Sequence, residues 1–391
     1  MTSRLAGALV AAATLLITAL STGGQIYYLL FFTLVFVAML SLASVLWVLF
    51  TLEIQMRGVV PRVERGEALM TIFTVRHASL LPVAAVRIRL NVPSAFSAAQ
   101  EISVVTPPFK TRTFRYMVRC PHRGSYEVGV TRLRAKDMFG LFSLSKNSGM
   151  RLLRVDVYPR AYAVPFMELK AGDTGPELRS RASEDAASPS DVRKWQEGDV
   201  LKKVHWKLTM RRRELMVRTF EESSRPDTLI VPDLGEIAAL PDQALTMEDC
   251  VCEACLSQAK AQLEEGYPVR MPLLCARPGE VAGQFAQDFS MFADALMRVK
   301  FDSPYPYEQV QLQMMRRTTR TGGCVLVTPR LSTRVADMAL KLARSGVRVR
   351  LIWVTDSRNA QSLEMLERLK MENVEARMLN PWKQGAGAAE D

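Results

Sequence analysis

The chain has 391 residues, of which 48% are hydrophobic and 23% charged, and its formal net charge is +11. This length predicts a membrane anchor with two domains, and the basic balance favours an anionic contact without choosing between lipid and an acidic protein. The six cysteines lack the density of a disulfide framework, and three scattered histidines argue against a multi-histidine metal site.

Two apolar runs open the chain. The first covers residues 5–22 and the second residues 27–52, with a short glycine-containing turn between them. About 20 apolar residues are enough to cross a bilayer, so both runs qualify as transmembrane helices. The first run alone also fits a signal peptide, but a second span after so tight a turn favours a helical hairpin.

Basic residues indicate how the hairpin is oriented. Arg4 precedes the first span, the turn is uncharged, and Arg57, Arg62 and Arg65 follow the second span. Cytoplasmic flanks are enriched in Lys and Arg. We therefore expect a multi-pass protein of the inner (cytoplasmic) membrane, with both termini and the soluble domains in the cytoplasm.

Residues 57–160 have a hydrophobic period of two. Apolar and basic residues alternate, as in the run Val86, Arg87, Ile88, Arg89 and Leu90. Short alternating runs between Pro, Gly and Ser turns are typical of antiparallel strands with one solvent-exposed face. The segment is predicted to be a β-sandwich of the immunoglobulin or fibronectin type. Asp137-Met-Phe-Gly-Leu-Phe142 interrupts the pattern and is interpreted as a packed aromatic corner.

Strands and helices alternate in the second half of the chain. Residues 161–224 combine a Gly-, Pro- and Ser-rich linker with a basic segment, and residues 225–381 then alternate from a strand at Asp227–Pro232 onwards. This order predicts βαβ units, a mostly parallel sheet and helices on both faces. Residues 382–391 are predicted to be a disordered tail. The predicted fold class is therefore multidomain: hairpin, β-sandwich and α/β domain.

Metal and cofactor chemistry have little support. The carboxyl end of the first predicted α/β strand carries Asp233, where open sheets place their ligands, but no hydroxyl follows to complete a cation site. Cys252 and Cys255 form a C-x-x-C near Cys250, and their helical spacing predicts packing rather than metal or redox chemistry. Nucleotide-binding, zinc-protease and serine-hydrolase motifs do not occur, so no cofactor is expected.

The most distinctive segment is residues 190–220. It places two tryptophans and His205 among many Lys and Arg residues. Asp199 and His205 are possible acid/base partners, but without a nucleophile nearby we interpret them, together with Trp206, as buried structural residues. The segment from Arg213 to Phe220 is predicted to be a strand, with the apolar Leu215 and Val217 on its inner face and Met216 and Arg218 on the other. Nucleic-acid binding is not expected, because stacking surfaces are not apparent.

This segment resembles the bacterial family called domain of unknown function 58. The residues that carry the motif, in a structural or partner-binding role, are Arg193, Trp195, Gly198, Asp199, Lys203, His205, Trp206, Lys207, Arg211 and Arg218. Lysine stands where the family usually has arginine, and Val204 replaces isoleucine. The run from Asp137 to Phe142 also resembles the family.

The resemblance implies two transmembrane helices, a β-sandwich and a von Willebrand factor A-like α/β domain. Members are often encoded beside a MoxR-type AAA+ ATPase and transglutaminase-like membrane proteins, which implies an accessory role for that ATPase. Metal-binding von Willebrand A domains carry Asp-x-Ser-x-Ser after the first strand. This chain keeps Asp233 but has Gly235 and Ile237 in place of the serines, so the site is degenerate.

We therefore expect a membrane-anchored, non-enzymatic interaction or scaffold protein. One alternative is an enzyme that uses Asp199 and His205 as an acid/base pair. Another is an anionic-lipid sensor that uses Arg211 to Arg213, which are expected to be solvent-exposed and to contact lipid or an acidic partner.

Overall fold

The computed structural model describes residues 3–57, 62–77, 85–91, 101–105, 107, 109–149, 152–169, 191–195, 206–219, 226–315, 321–357, 360–382 and 389–390. The chain divides into two compact units, Met1–Tyr158 and Pro159–Asp391, called unit 1 and unit 2 below.

Unit 1 begins with a helical hairpin. Helices α1 (Ser3–Thr22) and α2 (Gln25–Thr51) are joined through Gly23, which has a φ of +63°. Glycine adopts this left-handed conformation without a steric penalty, so the chain reverses direction within two residues. Both helices are long and apolar enough to cross a membrane by length and composition.

Nine strands follow in the described part of unit 1. They are β1 (Leu52–Arg57), β2 (Arg62–Glu64), β3 (Ala68–His77), β4 (Ala85–Asn91), β5 (Glu101–Val104), β6 (Thr111–Arg119), β7 (Gly124–Lys136), β8 (Ser143–Asn147) and β9 (Leu153–Tyr158). One sheet has the order β1-β3-β6, and the other has the order β2-β9-β7-β4-β5 with β8 paired to β7. The pairings are antiparallel except that of β2 with β9.

One apolar core joins the two sheets. Alternate residues of β4 are buried and the arginines between them are exposed, as the period of two predicts. The buried cluster includes Phe73 of one sheet with Ile88 and Val155 of the other. Each fully buried large apolar side chain contributes about 1.5–3 kcal/mol, so this shared core is what holds the sheets together. The arrangement is a β-sandwich, which confirms the prediction at that level.

The last two turns of α2 belong to the same core. Val45, Val48 and Leu49 are buried in one cluster with the sandwich residues, and β1 begins directly after the helix. The opposite face of these turns leaves Trp47 58% exposed and Phe50 76% exposed. The hairpin and the sandwich are therefore one packed body.

Unit 2 is built on a seven-stranded sheet. Its strands are β12 (Asp227–Pro232), β13 (Val269–Leu273), β14 (Gly279–Gly283), β15 (Thr321–Thr328), β16 (Arg348–Val354), β17 (Glu375–Leu379) and β18 (Ala389–Glu390). Their order is β14-β13-β12-β15-β16-β17-β18, with the five central strands parallel and both edge strands antiparallel. Its longer helices are α4 (Pro241–Glu264), α5 (Phe289–Arg298), α6 (Tyr307–Met315), α7 (Thr333–Arg344) and α8 (Ala360–Met371).

Helices cover both faces of this sheet. Tyr307 of α6 and Leu340 of α7 pack in one cluster with Leu351 of β16. The neighbouring residue of β16, Arg350, points to the other face and donates a hydrogen bond to Gln258 of α4 at 2.8 Å. The predicted mostly parallel sheet with helices on both faces is therefore confirmed.

Two short strands differ from the sequence prediction. Gly279–Gly283 pairs antiparallel with β13, whereas the predicted βαβ units imply parallel neighbours. Ala389–Glu390 pairs with β17 within the predicted disordered tail, and residues 383–388 and 391 of that tail lie outside the described residues. Edge strands are stabilised by main-chain pairing, which leaves little pattern in the side chains.

Residues 159–169 pack on unit 2, although residues 161–224 were predicted to combine a linker with the basic motif segment. Met167 is fully buried, and a Cβ atom at Gly323 would collide with its side chain. Arg350 donates a hydrogen bond to the Pro165 carbonyl oxygen at 2.8 Å and forms an ion pair with Glu375 at 2.6 Å. We call residues 159–169 the strap, and the contact boundary between the units precedes it, after Tyr158.

Candidate functional site

The described part of the basic motif segment is a hairpin with a short helix. β10 (Asp191–Lys194) pairs antiparallel with β11 (Met216–Thr219), and α3 (Trp206–Arg212) precedes β11. The main-chain N–H of Met216 donates to Thr209 Oγ1 at 3.0 Å, which ties the helix to the strand. Arg213 has a φ of +51°, the left-handed conformation in which many helices end.

The phase of β11 differs from the prediction. Met216 is 2% exposed and Leu215 is 41% exposed, so the expected inward position of Leu215 is wrong. Side chains alternate along a strand, and a shift of one residue reverses which of them faces inward. The bond between Met216 and Thr209 sets this phase, and the sequence pattern did not reveal it.

Trp206 does not have the buried structural position that we expected. Its side chain is 60% exposed at the first residue of α3, and Met210, one turn later, is 82% exposed. Residues four apart lie on the same face of a helix, so these two form an exposed apolar pair. Large apolar side chains that are exposed next to one another are typical of interaction surfaces.

Basic residues accompany this apolar pair. Arg211 and Arg213 are exposed, as predicted. Lys194 forms an ion pair with Glu214 at 2.7 Å in which both side chains are more than half exposed, and such pairs contribute only about 0–1 kcal/mol. We call Trp206, Met210, Arg211 and Arg213 the motif surface. Its two apolar side chains could be buried by a partner, and its two arginines carry positive charge.

The proposed acid/base pair lies outside the described residues, as do several other parts of the motif. The undescribed residues are Gly198, Asp199, Lys203 and His205, and the undescribed side chains are those of Arg193, Lys207 and Arg218. Trp195 is half-buried and extends the hairpin through a hydrogen bond from its N–H to the Leu215 carbonyl oxygen at 2.8 Å. Catalysis by Asp199 and His205 therefore stays a hypothesis.

A second candidate site lies at the carboxyl end of β12. This strand stands between β13 and β15, so the chain connects to opposite sides of it, which is where open α/β sheets bind ligands. Asp233 is 1% exposed there. Arg330 donates to both of its carboxylate oxygens, at 2.5 and 3.2 Å, the Thr328 hydroxyl donates at 2.7 Å and the Gly235 N–H donates at 3.1 Å.

Protein donors already engage the Asp233 carboxylate. Four donors engage the two oxygens of Asp233, and the guanidinium compensates its charge. Among the described residues, no group of three or more His, Cys, Asp or Glu side chains could hold a metal ion. No local sequence pattern links Arg330 to Asp233, because the two residues are 97 positions apart. Parallel pairing of β12 with β15 brings the two together.

Four of the five cysteines of unit 2 are buried and have packing roles. Cys250, Cys252 and Cys255 are buried in α4, as the helical spacing predicts. Cys324 of β15 is also buried, and burial raises its pKa to about 12. A thiol with so high a pKa is protonated near neutral pH and is a poor nucleophile. These residues do not resemble a redox or catalytic site.

These features define a class of protein: an apolar helical hairpin joined to a β-sandwich and followed by an open α/β unit. In the α/β unit an ion pair occupies the end of the sheet where the chain connects to opposite sides of one strand. Residues 191–378 match the family model described as "Protein of unknown function DUF58". This match supports membership of that family for the part of the chain that it covers. No curated protein matches the chain.

Several solved structures are similar to about a quarter of the chain. The CARDB domain of a Pyrococcus furiosus protein matches with 13% identity and a TM-score of 0.21, covering 27% of this chain and 91% of that one. A cohesin module from Clostridium perfringens matches with 12% identity and a TM-score of 0.19, covering 27% and 96%. A β-glucosidase from Listeria innocua has 12% identity and a TM-score of 0.18, covering 27% and 16%. We draw no functional conclusion from TM-scores this low.

Proposed function

We propose that this protein is a membrane-anchored, non-enzymatic interaction or scaffold protein, an accessory of a MoxR-type AAA+ ATPase system in the cell envelope. The motif surface is its proposed docking contact. The observation that carries the proposal is the exposure of Trp206 and Met210 beside Arg211 and Arg213, within the segment that identifies the family.

The composition of the motif surface suits a protein partner. Trp and Arg dominate binding hot spots, and Met is enriched at interfaces. An interface of ordinary size buries about 1,200–2,000 Å² in total, so these four residues would form its centre and not its whole area. Positive charge at the rim favours an acidic surface on the partner and increases the association rate.

The helical hairpin supports the membrane part of the proposal. A helix of 20 residues is about 30 Å long, which equals the thickness of the hydrocarbon core. Arg4, Arg57 and Arg62 flank the hairpin and favour a multi-pass arrangement with both termini in the cytoplasm. The family resemblance suggests a transglutaminase-like membrane protein as a further partner.

Co-purification tests the docking contact. The full-length protein is purified from native membranes after mild crosslinking, in cells that also make the ATPase. We expect the ATPase to be recovered, and the double variant Trp206→Ala/Met210→Ala to lower its recovery roughly tenfold or more, because hot-spot truncations cost about 2 kcal/mol or more each.

Met371→Ala is the matched control, since Met371 is 84% exposed at the end of α8 and lies outside the motif surface. It should leave recovery unchanged. Failure of the wild-type protein to recover an ATPase would contradict the proposed partner. Equal recovery by the double variant and the wild type would instead contradict the assignment of the motif surface.

A further inference from the structure

The turn between β7 and β8 contacts both helices of the hairpin. The Ser41 hydroxyl of α2 donates a hydrogen bond to the carboxylate of Asp137, and the Arg4 guanidinium of α1 donates to the Phe139 carbonyl oxygen at 3.1 Å. Asp137 is 1% exposed and also accepts hydrogen bonds from the main-chain N–H groups of Phe139 and Phe142. These contacts fix the turn beside the open end of the hairpin.

The lengths of the helices place this turn near the edge of the hydrocarbon core. At about 1.5 Å per residue, the 20 residues of α1 span about 30 Å and the 27 residues of α2 about 40 Å. The hydrocarbon core is about 30 Å thick, so α2 exceeds it by about two turns. The excess turns are those that contribute Val45, Val48 and Leu49 to the sandwich core. Arg4 and Ser41 then lie close to the membrane boundary.

Apolar side chains are exposed at this end of the sandwich. Met138 is 61% exposed and Phe139 is 60% exposed at the tip of the turn. Phe109 is 67% exposed in the loop before β6. That loop is at the same end, because His77 bonds the carbonyl oxygen of Lys110 and pairs with Leu52, the residue directly after α2. The apolar surface of the helices thus continues onto the sandwich.

Basic side chains also lie at this end of the sandwich. Lys146 is 5.5 Å from the centre of the Phe50 ring and donates a hydrogen bond to the Leu49 carbonyl oxygen at 3.5 Å. Arg4 adds a second cation, and the exposed carboxylate of Glu53, at the same end, is 3.9 Å from Arg76. Aromatic and basic side chains together are typical of segments that lie in the headgroup region of anionic membranes.

We propose that Met138 and Phe139 insert into the headgroup and upper acyl region of an anionic bilayer, with Arg4 beside Phe139. We call this end of the sandwich the lipid-contact end. The inference rests on the membrane anchoring proposed above. As a consequence, the sandwich contacts the lipid surface and has a fixed orientation relative to the membrane.

Site-directed fluorescence in the full-length protein tests this seating. Phe139→Cys is labelled with an environment-sensitive dye in a Cys275→Ser background, because the other five cysteines are buried. The protein is reconstituted into vesicles of phosphatidylcholine with phosphatidylglycerol. Arg119→Cys is the control, since Arg119 is exposed and ends β6 at the opposite end of the sandwich. Met138→Cys serves as a second reporter if labelling at 139 perturbs the turn.

We expect the label at 139 to be quenched by lipids that carry a nitroxide near the headgroup, and to be roughly threefold or more less accessible to iodide than the label at 119. Equal iodide quenching at 139, 138 and 119 in protein that resists carbonate extraction would overturn the lipid contact and leave the anchoring intact. Protein that carbonate extracts from the vesicles would overturn both proposals.

Discussion

At the scale of single residues, two buried carboxylates show how this chain keeps charge inside its units. Asp233 is paired with a guanidinium, whereas Asp137 depends on a hydroxyl and on main-chain N–H groups. Burial raises the pKa of Asp137, but the hydrogen bonds from Ser41, Phe142, Leu141 and Phe139 outweigh it and hold the pKa below its ordinary value. Both carboxylates connect segments that are distant in sequence.

Asp137→Asn should destabilise unit 1 by about 1–3 kcal/mol near neutral pH, because the amide cannot accept the same set of hydrogen bonds. The folded pKa lies below the unfolded value of about 3.9, so the stabilisation is complete above that value and is lost as the pH falls through the folded pKa. Thermal unfolding of the detergent-solubilised protein across this pH range measures the effect.

The difference in stability between the wild type and Asp137→Asn should therefore decrease at acidic pH. Asp156→Asn is the control, because Asp156 pairs at 3.0 Å with a mostly exposed arginine and should change stability by less than about 0.5 kcal/mol. A loss of stability for Asp137→Asn that stays constant from neutral to acidic pH would contradict the role of its charge.

Arg330→Met should destabilise unit 2 by about 2–4 kcal/mol, since it leaves Asp233 buried without a counter-charge. The lower part of that range applies because the Arg330 side chain is 50% exposed. Adding Asp233→Asn should restore part of the loss. Chemical denaturation of the single and double variants measures both effects, and a double variant less stable than Arg330→Met would be inconsistent with this explanation.

At the scale of secondary-structure elements, α2 has two environments along one continuous helix. Its first part is apolar on all sides and exposed on the surface of unit 1, whereas its last two turns have one face in the sandwich core. Because β1 starts at the residue after α2, the position of the hairpin fixes where the first strand begins.

Leu49→Ala and Leu46→Ala make a matched pair on this helix. Leu49 is 6% exposed in the sandwich core and Leu46 is 41% exposed on the other face. We expect Leu49→Ala to lower the stability of unit 1 by about 2–4 kcal/mol through lost burial and a cavity, and Leu46→Ala to cost less than about 1 kcal/mol. Thermal unfolding in one detergent compares them, and equal losses would show that the last turns do not belong to the core.

At the scale of the whole molecule, the chain is two folded units, and the strap belongs to the second. Met167 and Leu169 are buried over Gly322 and Gly323, and Gln262 of α4 donates a hydrogen bond to the Met167 carbonyl oxygen at 3.2 Å. A Cβ atom at Gly323 would displace the ends of the Met167 and Leu169 side chains, so glycine allows the strap to pack closely on β15.

Fragments 159–391 and 170–391 differ only by the strap. The shorter fragment should melt about 5–10 °C lower, because removing the strap exposes an apolar strip and takes carbonyl partners from Arg350, and each kcal/mol shifts the melting temperature by about 2–4 °C at this size. Circular dichroism during heating measures the transition. Identical melting temperatures would mean that the strap contributes nothing to the folding of unit 2.

Local patterns predicted much of this architecture. The β4 alternation and the strand Asp227–Pro232 were predicted correctly because the hydrophobic pattern of each follows from which of its faces are buried. The strap, the edge strand Gly279–Gly283 and the phase of β11 were missed, since main-chain pairing and contacts to distant segments decide them. Exposure of Trp206 was also missed, because sequence composition does not tell an interaction surface from a core.

By itself, the sequence determined the apolar hairpin, the sandwich, the parallel sheet and the family segment, since each depends on hydrophobic periodicity or on a motif of neighbouring residues. Only the tertiary structure decided that Arg330 reaches Asp233, that Ser41 reaches Asp137 and that the end of α2 lies inside the sandwich. The physical reason is the same in each case. The free energy of these contacts depends on which distant groups share a buried volume, and strand order and packing set that arrangement.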